Sequence, residues 1–357
     1  MSQAGPEFSP SDVAGGTAVE AGYRWVAEWE RHAATWIAWP HNLRTWPNRF
    51  DNIPATFERL VRVIAEVEQV HVLGGPAASL ASARHCLEGV ENIAVHAVPT
   101  NDCWIRDFGP TFVVHRETQQ LGAIDWVYNA WGGKYPPFDE DARNAERICR
   151  ILGCRRFASP LVCEGGALET DGQGTLLTTS RCLLSMSRNP DWKRQDIEGE
   201  LQRQLGVTRV VWVDGGELEG DDTDSHIDQL VRFVRPGVVV AAVAYSSDDE
   251  NAPKLQRQLE QLRQVRDAAE RPLEIVPLPT PPPRFIQGCR VPESYCNYYL
   301  ANGLLIVPMF GFRETDEAAV RILAEWMPER TIVRIDASDL IWGRGAFHCV
   351  TQQQPAV

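Results

Sequence analysis

The chain has 357 residues, 44% of them apolar, and a formal net charge of −13. This is enough apolar material for a sizeable core, and its sign disfavours nucleic acid as a partner. No stretch approaches the ~20 consecutive apolar residues of a membrane helix, and the start of the chain carries neither the basic residues nor the apolar run of a secretory leader. Nine cysteines, an odd number without a CxxC pair, are expected to be reduced thiols in a cytoplasmic protein.

In chain order, residues 1–22 read as a flexible arm and 23–357 as one domain. The first apolar run, "TWIAWP" from Thr35, predicts a strand, and helical patterns follow over 54–67 and 77–87. Pro54 stands near the first helix start, where a missing N–H costs little. "GPTFVV" from Gly109 predicts the next strand, followed by a helix over 140–152. Next come "GQGTLLTT" from Gly172, a helix over 190–205 and the strand "VTRVVWV". "RPGVVVAA" from Arg235, a helix over 252–269 and "PLEIVPL" repeat the pattern, as do "NGLLIVP" from Asn302, a helix over 316–326 and "RTIVRID". Counted from Trp36, Thr111, Thr175, Val238 and Leu304, the intervals are 75, 64, 63 and 66 residues. Five strand-strand-helix-strand units of α/β type predict a five-bladed, pseudo-symmetric propeller with a central axis.

The unusual residues stand just ahead of the repeated strands. They are Asp102, Trp104, Arg106 and Asp107 in "NDCWIRDFGP", Glu164 in "CEGGALETDGQG", and Asp221, Asp222, Asp224, His226 and Asp228 in "GDDTDSHIDQL". Ser294 and Asn297 follow in "ESYCNYYLANG", and His348 and Cys349 near the end. Singly, each fits a turn cap, a loop carboxylate or a solvated face. On a common axis they form a set. His226 and Asp228, two apart, share a face of an extended segment, and Cys349 supplies a nucleophile. His348, adjacent to Cys349, would then face away and read as a packing residue. Carboxylates around a thiolate repel an oxyanion but suit a guanidinium, held by pairs such as Asp107 and Asp228. The acidic run Asp221, Asp222, Asp224, His226 and Asp228 also admits a Mg²⁺ or Mn²⁺ hydrolase, although it lacks the Gly and terminal Glu of a calcium loop.

Together with "EWERHAATWIAWPHN", "AWGGKY", "IVPMFG" and "HCVTQQQP", these stretches resemble the agmatine deiminase family. That family is related to the Porphyromonas-type peptidylarginine deiminases, within the guanidino-modifying enzymes of the five-bladed pentein fold. The likeness runs from about Trp29 to Gln354. It implies Cys349 as nucleophile, His226 as general acid and base, and Asp107 and Asp228 as the guanidinium grip. Glu164 would orient His226 and help bind substrate, and Trp104 would line the pocket. The implied reaction is hydrolysis of agmatine to N-carbamoylputrescine and ammonia through a cysteine thiouronium, a step toward putrescine and polyamine biosynthesis. No metal or organic cofactor is implied. The implied partner is a small cationic guanidine, without nucleic acid or membrane, and a homodimer is compatible with such a fold. One departure stands out: Arg344 interrupts the glycines of "GRGAFHC". Arg344 reads first as a surface cation; if instead it recognises a substrate carboxylate or steadies the thiolate, L-arginine or another acidic guanidine would rival agmatine, and a deiminase of free or peptidyl arginine is the alternative reading. A non-catalytic pentein binding protein is a further alternative, which retention of the whole residue set argues against.

Overall fold

The computed structural model describes residues 16–214 and 216–357. Of the arm expected over 1–22, residues 1–15 therefore lie outside the described residues. Residues 17–22 form turns, in which Ala18 is buried and the Val19 N–H donates to the Arg203 carbonyl at 3.1 Å.

Five sheets repeat one module. Each pairs a first strand antiparallel to a second, and the second parallel to a third reached through a helix. The second sheet uses Thr111–His115, Leu121–Val127 and Arg155–Val162, with helix Asn144–Leu152 before its third strand and Tyr23–Trp25 added at its edge. The third uses Glu169–Thr170, Thr175–Thr178 and Arg209–Trp212 with helix Arg194–Leu205. The fourth uses Val231–Arg235, Val238–Val243 and Glu274–Pro279 with helix Ala252–Leu262. The fifth uses Tyr299–Ala301, Leu304–Met309 and Thr331–Asp336 with helix Arg313–Trp326. The first sheet joins the two ends of the chain. Its first strand is Gln352–Pro355, paired antiparallel to His32–Ala38, with Gln69–Leu73 and Ile93–His96 completing it.

The modules form because each helix has one apolar stripe. In Ile53–Ala65 the buried residues Ile53, Phe57, Leu60, Val61 and Ile64 recur at helical spacing and cover the first sheet. Each such side chain contributes about 1.5–3 kcal/mol by leaving water. One large apolar cluster spans sheets one, four and five and reaches Phe112, Ala123 and Leu177 of sheets two and three, and a second, around Tyr23, Ile124, Phe157, Leu201 and Trp212, lies within sheets two and three. No described helix is long and apolar enough to cross a membrane.

The expected five units are present, with two corrections of detail. The strand counted from Thr111 is the first of its sheet, whereas the other four counted strands are the second of theirs. The glycine-containing run Leu121–Val127 fills the equivalent second position there. The helix expected over 252–269 stops at Leu262. Beyond it, the Asp267 carboxylate accepts the N–H groups of Ala269 and Arg271 at 2.9 Å each, a local turn that competes with helix.

Candidate active site

Each first strand is entered through a tight turn, and these turns carry the candidate residues. Asp107 lies on Ile105–Phe108, Glu164 immediately precedes Gly165–Ala167, and His226 and Asp228 flank the start of Ile227–Gln229. Asn297 closes Tyr295–Asn297, and Cys349 sits in the turn ahead of Gln352–Pro355. Residues far apart in sequence thus occupy equivalent places in five modules.

Gly166 marks where they meet. A Cβ at this residue would lie 2.7 Å from both Asp107 Oδ1 and His226 Nδ1, and 3.0 Å from Asp228 Oδ2. The second glycine of "EGG" is therefore required by close approach, and its N–H donates to Asp107 Oδ1 at 3.0 Å. Asp107 Oδ2 accepts the Trp131 indole N–H at 2.9 Å. Trp131 reaches it from a left-handed turn in which Ala130, Trp131, Gly132 and Gly133 have φ of 54°, 56°, 86° and 81°. Left-handed backbone costs a non-glycine residue about 1–2 kcal/mol. Bonds from the Gly132 N–H to Asn129 Oδ1 (2.8 Å) and from the Gly133 N–H to the Asn129 carbonyl (2.7 Å) hold the turn.

The His226 ring is buried between two carboxylates, with Nδ1 3.6 Å from Asp107 and Nε2 3.6 Å from Glu164. Burial disfavours its charged form. The Asp107 carboxylate, with Cys182 and Glu164, overrides this and holds the ring well above the usual histidine range. Glu164 is buried too, but the Arg188 guanidinium, whose Nε donates to both carboxylate oxygens at 2.9 Å, keeps it below the usual range. Burial pushes Asp107 up to about 6, against the pull of His226 and with the repulsion of Asp228 and Glu164.

Asp228 links this group to the nucleophile. Its Oδ2 accepts His348 Nδ1 at 2.7 Å and lies 3.6 Å from Cys349 Sγ. Despite burial, the His348 ring holds this carboxyl below its usual range. Asn297 clamps the nucleophile loop: its Nδ2 donates to Cys349 Sγ at 3.2 Å, and its Oδ1 accepts the N–H groups of Ala346 and Cys349 at 3.0 and 3.3 Å. Burial, then the charges of Asp228 and Asp107, raise the Cys349 thiol well above its usual range. Both His226 ring nitrogens and Asp228 Oδ1 have no hydrogen-bond partner among the described residues. Buried polar atoms left open in this way are uncommon outside functional sites.

Cys349 opens onto a cavity of about 890 Å³ whose wall includes Trp104, Asp107, Trp131, Tyr135 and Arg344. The glycines of "GRG" let its loop lie against Trp104. A Cβ on Gly345 would come within 2.6 Å of the indole and 3.1 Å of Cys349 Sγ. Arg344 between them has φ 70° and donates to the Gly220 carbonyl at 3.2 Å, with Asp222 3.6 Å away.

Several expectations change. His226 and Asp228 do come together, both within 3.0 Å of one point beside Gly166, but on a turn rather than an extended strand, with His226 also near Asp107 and Glu164 and Asp228 also on His348 and Cys349. His348 is no simple packing residue, because it bridges Asp228 to Glu28, whose Oε2 it contacts at 2.8 Å. Glu28 in turn binds Arg232 at 2.8 Å, with Arg106 3.7 Å away. The acidic run does not converge as a metal set. Asp221 accepts the Thr223 and Ser225 N–H groups, Asp222 the Tyr135 hydroxyl, and Asp224 both Lys134 and Arg188. Glu164, Cys182 and His226 do bring ligand-type atoms within 4.8 Å of one another, but Arg188 already supplies the cation at that carboxylate. Trp131 and Arg188 were not picked out by sequence reasoning that began from nucleophile, base and carboxylates, and Asn297, named among the converging residues, was given no role. The paired glycines of "AWGGKY" were the one local signal for Trp131.

Comparison with known proteins places this geometry. An agmatine deiminase from Medicago truncatula is 35% identical, the alignment covering 94% of this chain and 97% of the relative. The solved agmatine deiminase of Enterococcus faecalis is 30% identical with a TM-score of 0.88, covering 96% of this chain and 98% of that one. A C. jejuni agmatine deiminase solved with substrate bound is 26% identical with a TM-score of 0.86, over 93% and 96% of the two chains. The family model of the Porphyromonas-type peptidyl-arginine deiminases matches residues 24–355. With its five-module α/β fold and its cysteine set among buried carboxylates, the chain belongs to the Porphyromonas-type peptidyl-arginine deiminase family.

Proposed function

We propose that this chain hydrolyses agmatine to N-carbamoylputrescine and ammonia in the reducing cytoplasm, with residues 23–357 acting as one catalytic unit. The observation that carries the reading is the placement of Cys349 Sγ 3.6 Å from Asp228, whose Oδ1 has no partner among the described residues, with Asp107 beside Asp228 at Gly166. Two carboxylates beside one sulfur fit a planar cation whose carbon is the electrophile.

In the free protein the Cys349 thiol is held protonated by burial and by those carboxylates. A guanidinium bound between Asp107 and Asp228 neutralises them and so favours the thiolate, the thiol proton passing to solvent in the cavity onto which Cys349 opens, and the Asn297 amide donates to the sulfur. Sulfur then attacks the guanidinium carbon. His226, kept as imidazolium by Asp107 and Glu164, gives its proton to the departing nitrogen. Ammonia leaves and an S-alkylthiouronium remains on Cys349. Neutral His226 takes a proton from water, whose oxygen adds to the same carbon; the C–S bond breaks, the remaining hydroxyl proton passes to the departing sulfur, and the ureido product and the Cys349 thiol are released.

The cavity wall favours agmatine over arginine. Of its Lys and Arg side chains, Lys134, Arg290 and Arg344 are each already engaged with a carboxylate, Asp224 at 2.8 Å, Asp249 at 2.6 Å and Asp222 at 3.6 Å; Arg44 has no carboxylate partner among the described residues but is exposed, so water screens its charge. Asp102 and Asp141 also line it and add no cation. A tail bearing a carboxylate gains little there. The test is turnover of agmatine, L-arginine and a peptidyl-arginine at equal concentration, read as ammonia release. Agmatine is expected to exceed the other two by at least about tenfold in kcat/KM, the worth of ~1.4 kcal/mol. Preferred turnover of arginine would overturn the substrate assignment.

A further inference from the structure

His226 lies between two carboxylates, and one of them, Glu164, is tied to a buried cation. The Arg188 side chain is fully buried. Its Nε binds both Glu164 oxygens at 2.9 Å, Nη1 binds Asp224 Oδ2 at 2.6 Å, and Nη2 binds the Thr223 carbonyl at 3.0 Å. The same Asp224 oxygen accepts Lys134 Nζ, from the cavity wall, at 2.8 Å. A chain of alternating charge therefore runs from the cavity through Lys134, Asp224, Arg188 and Glu164 to His226.

The backbone supports the same conclusion independently. Asp224 and Ser225, the two residues before His226, have φ of 65° and 69°. Such consecutive left-handed non-glycine residues persist only where their surroundings over-determine them. Here the Asp224 carboxylate is fixed by Arg188 and Lys134, and the Ser225 N–H by Asp221 at 2.7 Å.

Resting on the deiminase reading above, we propose that Arg188 is a positioning residue of the reaction. Through Glu164 it fixes the orientation and charge of His226, and Asp224 anchors it to the cavity wall. The groups around Glu164 are Arg188, His226, the Cys182 thiol at 3.6 Å, the Cys163 thiol on its carbonyl at 3.5 Å, and the nearby Asp107 and Tyr128. Asp107, Cys182 and Asp228 also act on His226. Among these groups Arg188 is the one permanent cation. A buried carboxylate that loses its cation takes up a proton, and neutral Glu164 would no longer support the imidazolium.

The readout is the pH profile of kcat at saturating agmatine, where the bound guanidinium keeps Asp107 ionised and the acid limb reports Glu164. Arg188→Met is expected to raise that limb by about one pH unit or more and to lower kcat by ~10²-fold. Arg188→Lys should fall between this variant and wild type. Asp224→Asn keeps a residue that tolerates positive φ and removes a competing counter-charge from Arg188, so its limb should stay in place or move down. A general loosening of the fold would not move the two positions differently. An unmoved limb in the Arg188 variants, or an upward shift in Asp224→Asn, overturns the proposal. If Arg188→Met does not fold, Arg188→Lys and Asp224→Asn decide it. Wild type inactive on agmatine would refute the functional reading, whereas active wild type with unmoved limbs would refute this inference alone.

Discussion

At Asp107, function and burial pull in opposite directions. The carboxylate must be ionised to hold a guanidinium, yet burial raises it to about 6, with His226 pulling back and Asp228 and Glu164 pushing further. It is anionic above that pH and neutral below it, so kcat/KM, which reports the free protein, should fall as pH drops through about 6. Asp107→Asn should remove this limb and cost about 2–5 kcal/mol in kcat/KM, the penalty for removing one member of a buried charge pair. Its melting temperature should fall, because an Asn amide turns its NH2 toward one of the two donors the carboxylate accepts, Gly166 N–H or Trp131 Nε1–H, and leaves the His226 imidazolium without its main counter-charge. An unchanged kcat/KM, or an acid limb that survives the substitution, would remove Asp107 from the grip. The residue types here were legible from sequence because thiol, imidazole and carboxylates have few joint uses. His348 was not, since its role depends on Glu28, 320 residues earlier in the chain.

The recurring element is the turn ahead of each first strand, and its geometry explains what periodicity could and could not reveal. Five apolar second or first strands repeat in the sequence, so the module count was readable. The turns themselves have no common sequence: one is "EGG", another follows Asp224 and Ser225 in left-handed backbone, and another is clamped by Asn297. Alternation along a strand therefore brought His226 and Asp228 together on the wrong backbone and missed the polar role of His348. Gly166 tests the turn most sharply. Gly166→Ala would set a methyl 2.7 Å from Asp107 Oδ1 and His226 Nδ1, so these groups must shift. Activity should fall by ~10²-fold, as for other small misplacements of reacting groups, with a stability loss of about 1–3 kcal/mol from overpacking. Near wild-type kcat would contradict this packing.

Across the whole molecule, the two ends of the chain are fastened into one sheet, Gln352–Pro355 on His32–Ala38. Polar links tie that sheet to the interior: Trp36 Nε1 binds Gln354 at 2.9 Å, and Arg106 binds Gln353 at 2.6 Å and the His348 carbonyl at 3.2 Å. Arg232, fully buried, joins Glu28, Glu169 and the carbonyls of Cys296 and Tyr298. Breaking one partner of such a buried network costs more than the pair contributes, which favours a single arrangement of the modules around Cys349. Hydrophobic patterning could not reveal this network, because its members come from separate modules and are buried while charged. The central claim is that this arrangement makes Cys349 a covalent nucleophile toward a guanidinium. The direct measurement is mass spectrometry of peptides from acid-quenched agmatine turnover. The account predicts an adduct of agmatine less one ammonia on the Cys349 peptide alone, absent together with turnover in a folded Cys349→Ala variant. Turnover that persists in Cys349→Ala, or an adduct on another cysteine, would contradict it.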